Sequence, residues 1–135
     1  MIEGSCLCGG VGYEIAGEIH HMHYCHCSMC RKAHGAAFAT YTGVHPRDLR
    51  FTRGQELIAR FRSSDKAQRS FCSRCGSNLL FEPQATPDVA WVAVGGFDSD
   101  PKERPGTHIY VASKAPWFEI SDELPQFPED AGDNW

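Results

Sequence analysis

Residues 25–30, Cys-His-Cys-Ser-Met-Cys, place three cysteines within six positions. In an extended segment, residues i and i+2 project from the same face, so Cys25 and Cys27 are predicted to converge on one metal ion. Working outward, two smaller clusters flank this one: Cys6-Leu-Cys8, and Cys72-Ser-Arg-Cys75 followed by Gly76. The latter has the spacing of a zinc knuckle, a tight turn whose glycine lets the backbone fold beneath the sulfurs.

The chain contains seven cysteines, an odd number that cannot be fully paired in disulfides within one chain. In a reducing cytosol, clustered cysteines favour metal or catalytic roles. Zinc is the expected metal, because several thiolates in a tetrahedral array suit it without redox chemistry, and an iron–sulfur cluster is the competing interpretation. Seven divides as four plus three, which predicts one closed, structural site and one open, catalytic site.

Spacing alone leaves the pairing of the clusters open. Cys72 and Cys75 can complete a site with Cys6 and Cys8, or with two members of the middle cluster. A second alternative makes the middle cluster another structural zinc site with a histidine as its fourth ligand. The candidates for that ligand are His23, His26 and His34.

Length and composition indicate one globular domain. The chain has 135 residues, of which 41% are hydrophobic and 22% charged, which excludes a disordered or fibrous protein. The longest strongly apolar run, residues 89–94, is far shorter than the ~20 residues that cross a bilayer. The first ten residues, MIEGSCLCGG, contain an acid and no apolar segment, so no secretion signal is predicted. The expected location is the cytoplasm.

The charge distribution is uneven. The net charge of −4 argues against general nucleic-acid binding, which needs a basic surface. Residues 47–81 carry eight basic and three acidic groups, whereas residues 82–135 carry three and eleven. The simpler interpretation is that the two regions offset each other across a folded surface. The alternative is that six arginines help to hold an anionic small molecule: Arg47, Arg50, Arg53, Arg60, Arg62 and Arg69.

The rest of the chain predicts β-structure. Val11, Tyr13 and Ile15 alternate with Gly12 and Glu14, as in a half-buried strand. Further strands are predicted at residues 20–25, 36–44, 56–62, 77–82 and 89–94, with one helical turn at 28–32 capped by Ser28. The predicted fold is one mainly β domain of curled antiparallel sheets, stapled by metal. The acidic tail from residue 125 is expected to be irregular, with Phe127 and Trp135 as anchors.

Several side chains near the clusters have both a structural and a functional interpretation. His26 lies between two ligands and is predicted to be an exposed loop residue, the alternative being a proton shuttle. Arg31 and Lys32 are expected to be solvated charges, or else to lower thiol pKa values or meet a substrate carboxylate. Three residues are expected to be structural: Trp91, Trp117 and His108.

At these motifs the chain resembles the family of glutathione-dependent formaldehyde-activating enzymes, also called the centromere-protein-V-like family. The likeness spans roughly residues 4–127. It is carried by Gly4-Ser-Cys6-Leu-Cys8-Gly9 with Val11 and Tyr13, by Cys25-His-Cys27-Ser-Met-Cys30-Arg-Lys32, by Phe71-Cys72-Ser-Arg-Cys75-Gly76, and by residues 108–117, HIYVASKAPW. Three ordered cysteine clusters are a specific signal.

The resemblance implies a mainly β fold with two zinc ions per chain. It assigns the closed structural site to Cys6, Cys8, Cys72 and Cys75, and the open catalytic site to Cys25, Cys27 and Cys30. It also implies a zinc-binding domain over residues 1–127, followed by an acidic tail at 128–135.

The resemblance further implies aldehyde–thiol chemistry: glutathione adds to formaldehyde to give S-hydroxymethylglutathione, which is a carbon–sulfur lyase reaction in reverse. The expected partners are therefore a small thiol and an aldehyde, or their adduct, rather than nucleic acid or membrane. We expect zinc to deprotonate and position the thiol, with proximity supplying much of the acceleration. The alternatives are a zinc-stabilised binding module without activity, and a thiol or metal sensor.

Overall fold

Ten β-strands and one α-helix form most of the regular structure in residues 1–133, the part of the chain that the computed structural model describes. The strands are β1 (Ile2–Ser5), β2 (Gly12–Ile15), β3 (His20–Cys25), β4 (Ala39–Val44), β5 (Leu49–Arg53), β6 (Ile58–Ser64), β7 (Ala67–Cys72), β8 (Asn78–Pro83), β9 (Ala90–Ala93) and β10 (Thr107–Ile109). The helix α1 spans Ser28–His34. Within these residues, none of the helices has the length and apolar composition that crossing a bilayer requires. The predicted mainly β fold is confirmed.

The strands are arranged in two sheets. The smaller has the order β1-β2-β5, and the larger has the order β10-β3-β4-β9-β8-β7-β6. Neighbouring strands are antiparallel, as predicted, except that β10 lies parallel to β3. The parallel pair sets Ile109 opposite Cys25, and the β3–β4 pair sets Ala39 opposite Cys25 on the other side. The last residue of β3 is therefore held from both flanks.

The alternating face of β2 forms the centre of the main core. Val11, Tyr13 and Ile15 are almost fully buried, in agreement with the predicted alternation, and they pack in one cluster with Val44 and Val92. Cys6 and Cys72 belong to the same buried cluster. The apolar core thus extends directly to two of the predicted metal ligands.

Four strands are not predicted by the sequence patterns: β1, β5, β7 and β10. In β7 the consecutive residues Arg69 and Ser70 are both buried, so polar and apolar positions do not alternate. β10 has only three residues, too few to show a period. These strands form because neighbouring strands supply hydrogen bonds and packing, which local sequence does not reveal.

The segment that follows residue 124 is more ordered than predicted. The amide of His108 donates to the carbonyl of Pro125, and the amide of Phe127 donates to the carbonyl of His108, both at 2.9 Å. Phe127 packs against a second core cluster that contains Cys25 and Cys30, so its predicted anchoring role is confirmed. Trp135, the other predicted anchor, lies outside the described residues.

The two tryptophans predicted to be core residues differ. Trp117 is 71% exposed, so its prediction is wrong, because it lies in an irregular loop that follows a 3-10 turn rather than on a sheet. Trp91, on β9, is partly buried and packs against the second core cluster. The prediction that Trp91 is a core residue is therefore confirmed.

Gly54 is expected to be sensitive to substitution. Its φ is +71°, and a Cβ there would lie 1.9 Å from the carbonyl oxygen of Gly10, which is backbone and cannot rotate away. We expect Gly54→Ala to lower the free energy of unfolding by at least ~2 kcal/mol, from left-handed strain plus this clash. Gly95→Ala, where a Cβ meets nothing within 4 Å, is the control. Equal urea midpoints for both variants would contradict the prediction.

Candidate metal centres

Four cysteine sulfurs converge at one end of the main core. Cys6 and Cys8 lie in the turn after β1, Cys72 ends β7, and Cys75 lies in the turn before β8. Their Sγ atoms all lie within 4.8 Å of one another; the Cys6–Cys8 distance is 3.5 Å and the Cys8–Cys72 distance is 3.9 Å. A tetrahedron with Zn–S bonds of ~2.3 Å has S–S edges of about 3.8 Å. The donor type, number and spacing therefore fit a tetrahedral zinc ion.

Hydrogen bonds favour the thiolate form of Cys8 and Cys75, whereas burial raises the pKa of Cys72. The amides of Val11 and Gly10 donate to the sulfurs of Cys6 and Cys8, at 3.2 and 3.4 Å. The pKa of Cys8 is lowered by the Gly10 amide and then by the Arg74 guanidinium. Hydrogen bonds from Ser77 lower the pKa of Cys75 to about 5. Thiolates are the form in which cysteine binds metal.

Turns bring these sulfurs together. Cys6 and Cys8 were expected to share a face of an extended segment, but the chain folds back after β1, with Gly9 in the left-handed region at φ +76°. In the second turn Gly76 has a φ of +80°, and its amide donates to the carbonyl of Cys72 at 2.7 Å. The glycine of the predicted knuckle thus has the conformation that this turn needs.

The three remaining cysteines form a separate cluster where β3 meets α1. Cys25 ends the strand, Cys27 is the residue that caps the helix, and Cys30 lies in the first helical turn. Their sulfurs also lie within 4.8 Å of one another. The amide of Cys30 donates to the sulfur of Cys27 at 3.3 Å, so the cap is Cys27 and the predicted cap Ser28 is wrong. The sulfur takes the place of the usual capping oxygen. The same side chain therefore begins the helix and contributes to the cysteine cluster.

In residues 1–133, no histidine joins this three-sulfur group. His23 Nδ1 lies 2.8 Å from the carbonyl of His21, and His34 Nε2 lies 2.9 Å from the hydroxyl of Tyr41. The ring of His26 contacts His108 instead. Among the described residues, this group therefore brings together three sulfurs, one donor fewer than the first cluster.

The buried guanidinium of Arg69 faces this cluster. Arg69, on β7, is 5% exposed, and its Nη1 and Nη2 atoms lie 3.7 and 3.6 Å from the sulfur of Cys30. Nη1 also donates to the hydroxyl of Tyr41 at 3.2 Å. Its guanidinium carbon lies 4.9 Å from the ring centroid of Phe81. In residues 1–133 no carboxylate lies within 4 Å of it, so the cysteine cluster is its counter-charge.

Charge sharing makes the three thiols unequal. Hydrogen bonds with Cys25 and then Cys30 lower the pKa of Cys27. Hydrogen bonds with Cys27 and then Cys30 raise the pKa of Cys25 above its usual value. Burial lowers the pKa of His34 to about 4, with Arg69 adding to the shift. His34 is therefore neutral at pH 7, and its Nε2 atom lies within hydrogen-bond distance of the Tyr41 hydroxyl. That hydroxyl also accepts from Arg69.

A cavity of about 530 Å³ opens over the three sulfurs. Cys25, Cys27 and Cys30 line its floor together with Arg69. Its walls include five large side chains: Met29, Tyr41, Phe81, Trp91 and Tyr110. A broader surface depression borders Cys6 and Cys75, but four sulfurs already complete a tetrahedron there. Only the three-sulfur group combines an incomplete donor set with a cavity among the described residues.

A hydrogen-bonded series of side chains runs from the buried His26, next to the cluster, through the buried His108 to the exposed Asp122. The carboxylate of Asp122 accepts from His108 Nε2 at 2.9 Å, which leaves His108 Nδ1 to accept from His26 Nε2 at 2.8 Å. His26 is fully buried, so its prediction as an exposed loop residue is wrong, whereas the structural prediction for His108 is confirmed. Burial, followed by the charge of His108, lowers the pKa of His26 to about 4. These hydrogen bonds hold His26, the residue between Cys25 and Cys27, in place.

Most of the arginines singled out by the sequence lie away from this site. Arg47 and Arg50 form ion pairs with Asp48 and Glu14, and Lys32 is exposed as expected. Arg53 and Arg62 donate to backbone carbonyls, and Arg60 is exposed. Arg69 alone of the six reaches the three-sulfur cluster. Nothing in the local sequence around Arg69 distinguishes it, since its position follows from strand pairing.

Comparison with known proteins gives consistent matches. A family model described as "Glutathione-dependent formaldehyde-activating enzyme" matches residues 1–113. A Halomonas elongata protein provisionally given the same name is 29% identical over 128 residues, covering 89% of this chain and 81% of that protein. A Podospora anserina protein, also provisionally so named, is 39% identical over 77 residues, covering 55% of this chain and 36% of that protein.

Comparison with solved structures gives a match as well. A crystal structure of a Rhodobacter sphaeroides protein superimposes with a TM-score of 0.62 at 28% sequence identity. The match covers 76% of this chain and 97% of that one. The fold described above is therefore shared with an experimentally determined structure.

Proposed function

Because this chain belongs to the family of glutathione-dependent formaldehyde-activating enzymes, we propose that it is a zinc-dependent enzyme of the carbon–sulfur lyase type. Its substrate is a thiol together with an aldehyde, or the adduct of the two. In the joining direction the thiol sulfur bonds to the carbonyl carbon and the C=O π-bond breaks. The proton lost by the thiol ends on the oxygen, so no oxidant or reductant is needed.

One observation carries this proposal: the two cysteine clusters differ in completeness. Cys6, Cys8, Cys72 and Cys75 supply four donors, whereas Cys25, Cys27 and Cys30 supply three beneath a cavity. Closed tetrahedral sites are structural, and sites that keep a position for substrate are catalytic. We assign a structural zinc to the first cluster and a catalytic zinc to the second. When bound at the second, zinc supplies deprotonation of a coordinating thiol and polarisation of a carbonyl oxygen.

Arg69 balances the charge of the catalytic cluster. Three thiolates and one divalent cation carry a net charge of −1, and the guanidinium, within 3.7 Å of Cys30, brings the site to zero. An arriving thiolate then meets a neutral site rather than a negative one. The surrounding walls hold thiol and aldehyde together, so that proximity contributes much of the rate.

The hydrogen bonds that link His26, His108 and Asp122 hold the loop that carries the cysteine ligands. Since the side chain of His26 points away from the sulfurs and into this hydrogen-bonded series, the backbone between Cys25 and Cys27 has little freedom to move. Rigid placement of the ligands keeps the fourth position aimed at the cavity.

Cobalt substitution tests this proposal. We expect 2-mercaptoethanol to shift the visible absorption bands of the cobalt-loaded protein, and the protein to accelerate formation of the S-hydroxymethyl adduct from 2-mercaptoethanol and formaldehyde. Cys27→Ser should abolish both effects, whereas Ser28→Ala, an exposed non-ligand in the same loop, should leave them intact.

Two outcomes would favour the alternatives. If thiols up to millimolar concentration do not shift the absorption bands of the cobalt-loaded protein, the enzyme proposal would be overturned and a zinc-stabilised binding module supported. Zinc loss under mild peroxide, reversed by a reductant and unaccompanied by any rate acceleration, would support a thiol-based sensor.

A further inference from the structure

The cavity over the three-sulfur cluster is walled mainly by apolar and aromatic side chains. Phe81, Trp91 and Tyr110 present rings to it, and Met29 adds a flexible thioether side chain. Its volume of about 530 Å³ lies in the range of ~300–1,000 Å³ typical of small-molecule sites, which are mostly apolar with a few placed polar groups. Aromatic walls of this kind favour a ligand with an apolar or aromatic body.

The charged groups of the cavity do not suit a peptide-like thiol. Glutathione carries two carboxylates and one ammonium group besides its sulfur, and buried carboxylates need charged or hydrogen-bonding partners. Arg69 is the buried cation among the described lining residues; its two Nη atoms are engaged by Cys30 and Tyr41, and its Nε, which has no partner, is buried. Lys66 and Asp130 also line the cavity, but both are exposed and their charges have opposite signs, so together they add no net positive charge. A glutathione carboxylate inside would have no buried cation to itself.

We propose that the organic group carried into this cavity by the substrate thiol is uncharged and aromatic or bulky aliphatic, rather than the peptide of glutathione. The inference rests on the proposed function, because it assumes that the substrate sulfur reaches the position above Cys25, Cys27 and Cys30. The cavity walls then select the substrate by the organic group of the thiol, and the metal cluster selects it by the sulfur atom.

A matched pair of ligands tests this inference. Benzyl mercaptan and 4-(mercaptomethyl)benzoic acid share a benzylic sulfur and differ by one carboxylate. By isothermal titration calorimetry on the zinc-loaded protein, we expect benzyl mercaptan to bind at least tenfold more tightly than the carboxylated thiol, and at least tenfold more tightly than glutathione.

A variant adds a cation to the wall. Ala85 is exposed and lines the cavity, so Ala85→Lys should fold and should reduce the preference for benzyl mercaptan over its carboxylated partner by threefold or more. Gln55→Lys adds the same charge at an exposed position outside the cavity lining, and it should leave the preference unchanged.

The outcomes separate the two proposals. Glutathione binding as tightly as benzyl mercaptan would overturn the apolar substrate class while leaving the proposed function intact. Absence of binding by all three thiols would overturn the proposed function, and the substrate class with it.

Discussion

Replacing Cys72 with serine is expected to leave the chain unfolded. Cys72 is fully buried and its sulfur lies 3.9 Å from that of Cys8, so the substitution removes one of four donors from the closed cluster. A structural zinc contributes ~10–16 kcal/mol to folding, comparable with the whole ~5–15 kcal/mol stability of a domain. Loss of this site therefore exceeds what the rest of the core supplies. Far-ultraviolet circular dichroism and metal counting by mass spectrometry measure the effect.

Two further variants separate metal loss from core damage. Cys8→Ser removes a ligand at an exposed position, so it should unfold the chain as well if the metal is the cause. Cys27→Ser should give a folded protein that has lost one zinc, since serine is itself a good helix cap. Unfolding by Cys27→Ser to the same extent as by Cys72→Ser would contradict the distinction between structural and catalytic clusters.

Removing the charge of Arg69 is expected to weaken both metal and thiol binding at the open cluster. Opposite charges ~4 Å apart interact by about 4 kcal/mol at an effective dielectric constant of 20, and ~1.4 kcal/mol corresponds to tenfold in affinity. We therefore expect Arg69→Met to lower the affinity for the second zinc, and for a thiol in the loaded protein, by at least tenfold. Competition with a chelator and thiol titration of the cobalt-loaded protein provide the measurements.

The protein that holds only the structural zinc should respond differently to the same substitution. Without metal at the second cluster, contacts with Cys27 and then Cys30 raise the pKa of Cys25, so this cluster carries less negative charge. Arg69 is then a buried cation with no carboxylate partner among the described residues. Replacing it with an apolar side chain of similar length should then leave thermal stability unchanged or raise it. Arg60→Met, an exposed arginine on the neighbouring strand, is the control and should change neither affinity. A fall in stability of the Arg69→Met protein that holds only the structural zinc, without a change in affinity for the second zinc, would contradict the electrostatic role.

Local sequence predicted the features that depend on short separations along the chain. Cysteines at i, i+2 and i+5 in residues 25–30 need only one local turn to bring their sulfurs together, so the middle cluster is visible without a fold. The alternation of Val11, Tyr13 and Ile15 likewise predicted the buried face of β2, because side chains of a strand point to opposite faces in turn. The knuckle glycine, Gly76, was recognised for the same reason.

Features that depend on strand pairing were not predictable in this way. His26 was expected to be exposed, yet its ring bonds to His108, which is 82 residues away. The sequence did not distinguish Arg69 from the other basic residues, because its position near the cluster depends on where β7 lies in the larger sheet. The cavity walls come from β4, β8, β9, α1 and the loop after β10, none of which signals its partner locally.

The sequence by itself therefore determined the donor chemistry, seven thiols in three short clusters, and with it the choice of a metal-stapled β domain. The tertiary structure alone decided that the first and third clusters meet across 64 residues, and that the second keeps three sulfurs under an aromatic cavity beside a buried guanidinium. The physical reason is the separation along the chain between the residues that make contact. Ligand spacing within a turn is set by covalent geometry, whereas contacts between distant strands are set by register and by the burial of the whole core.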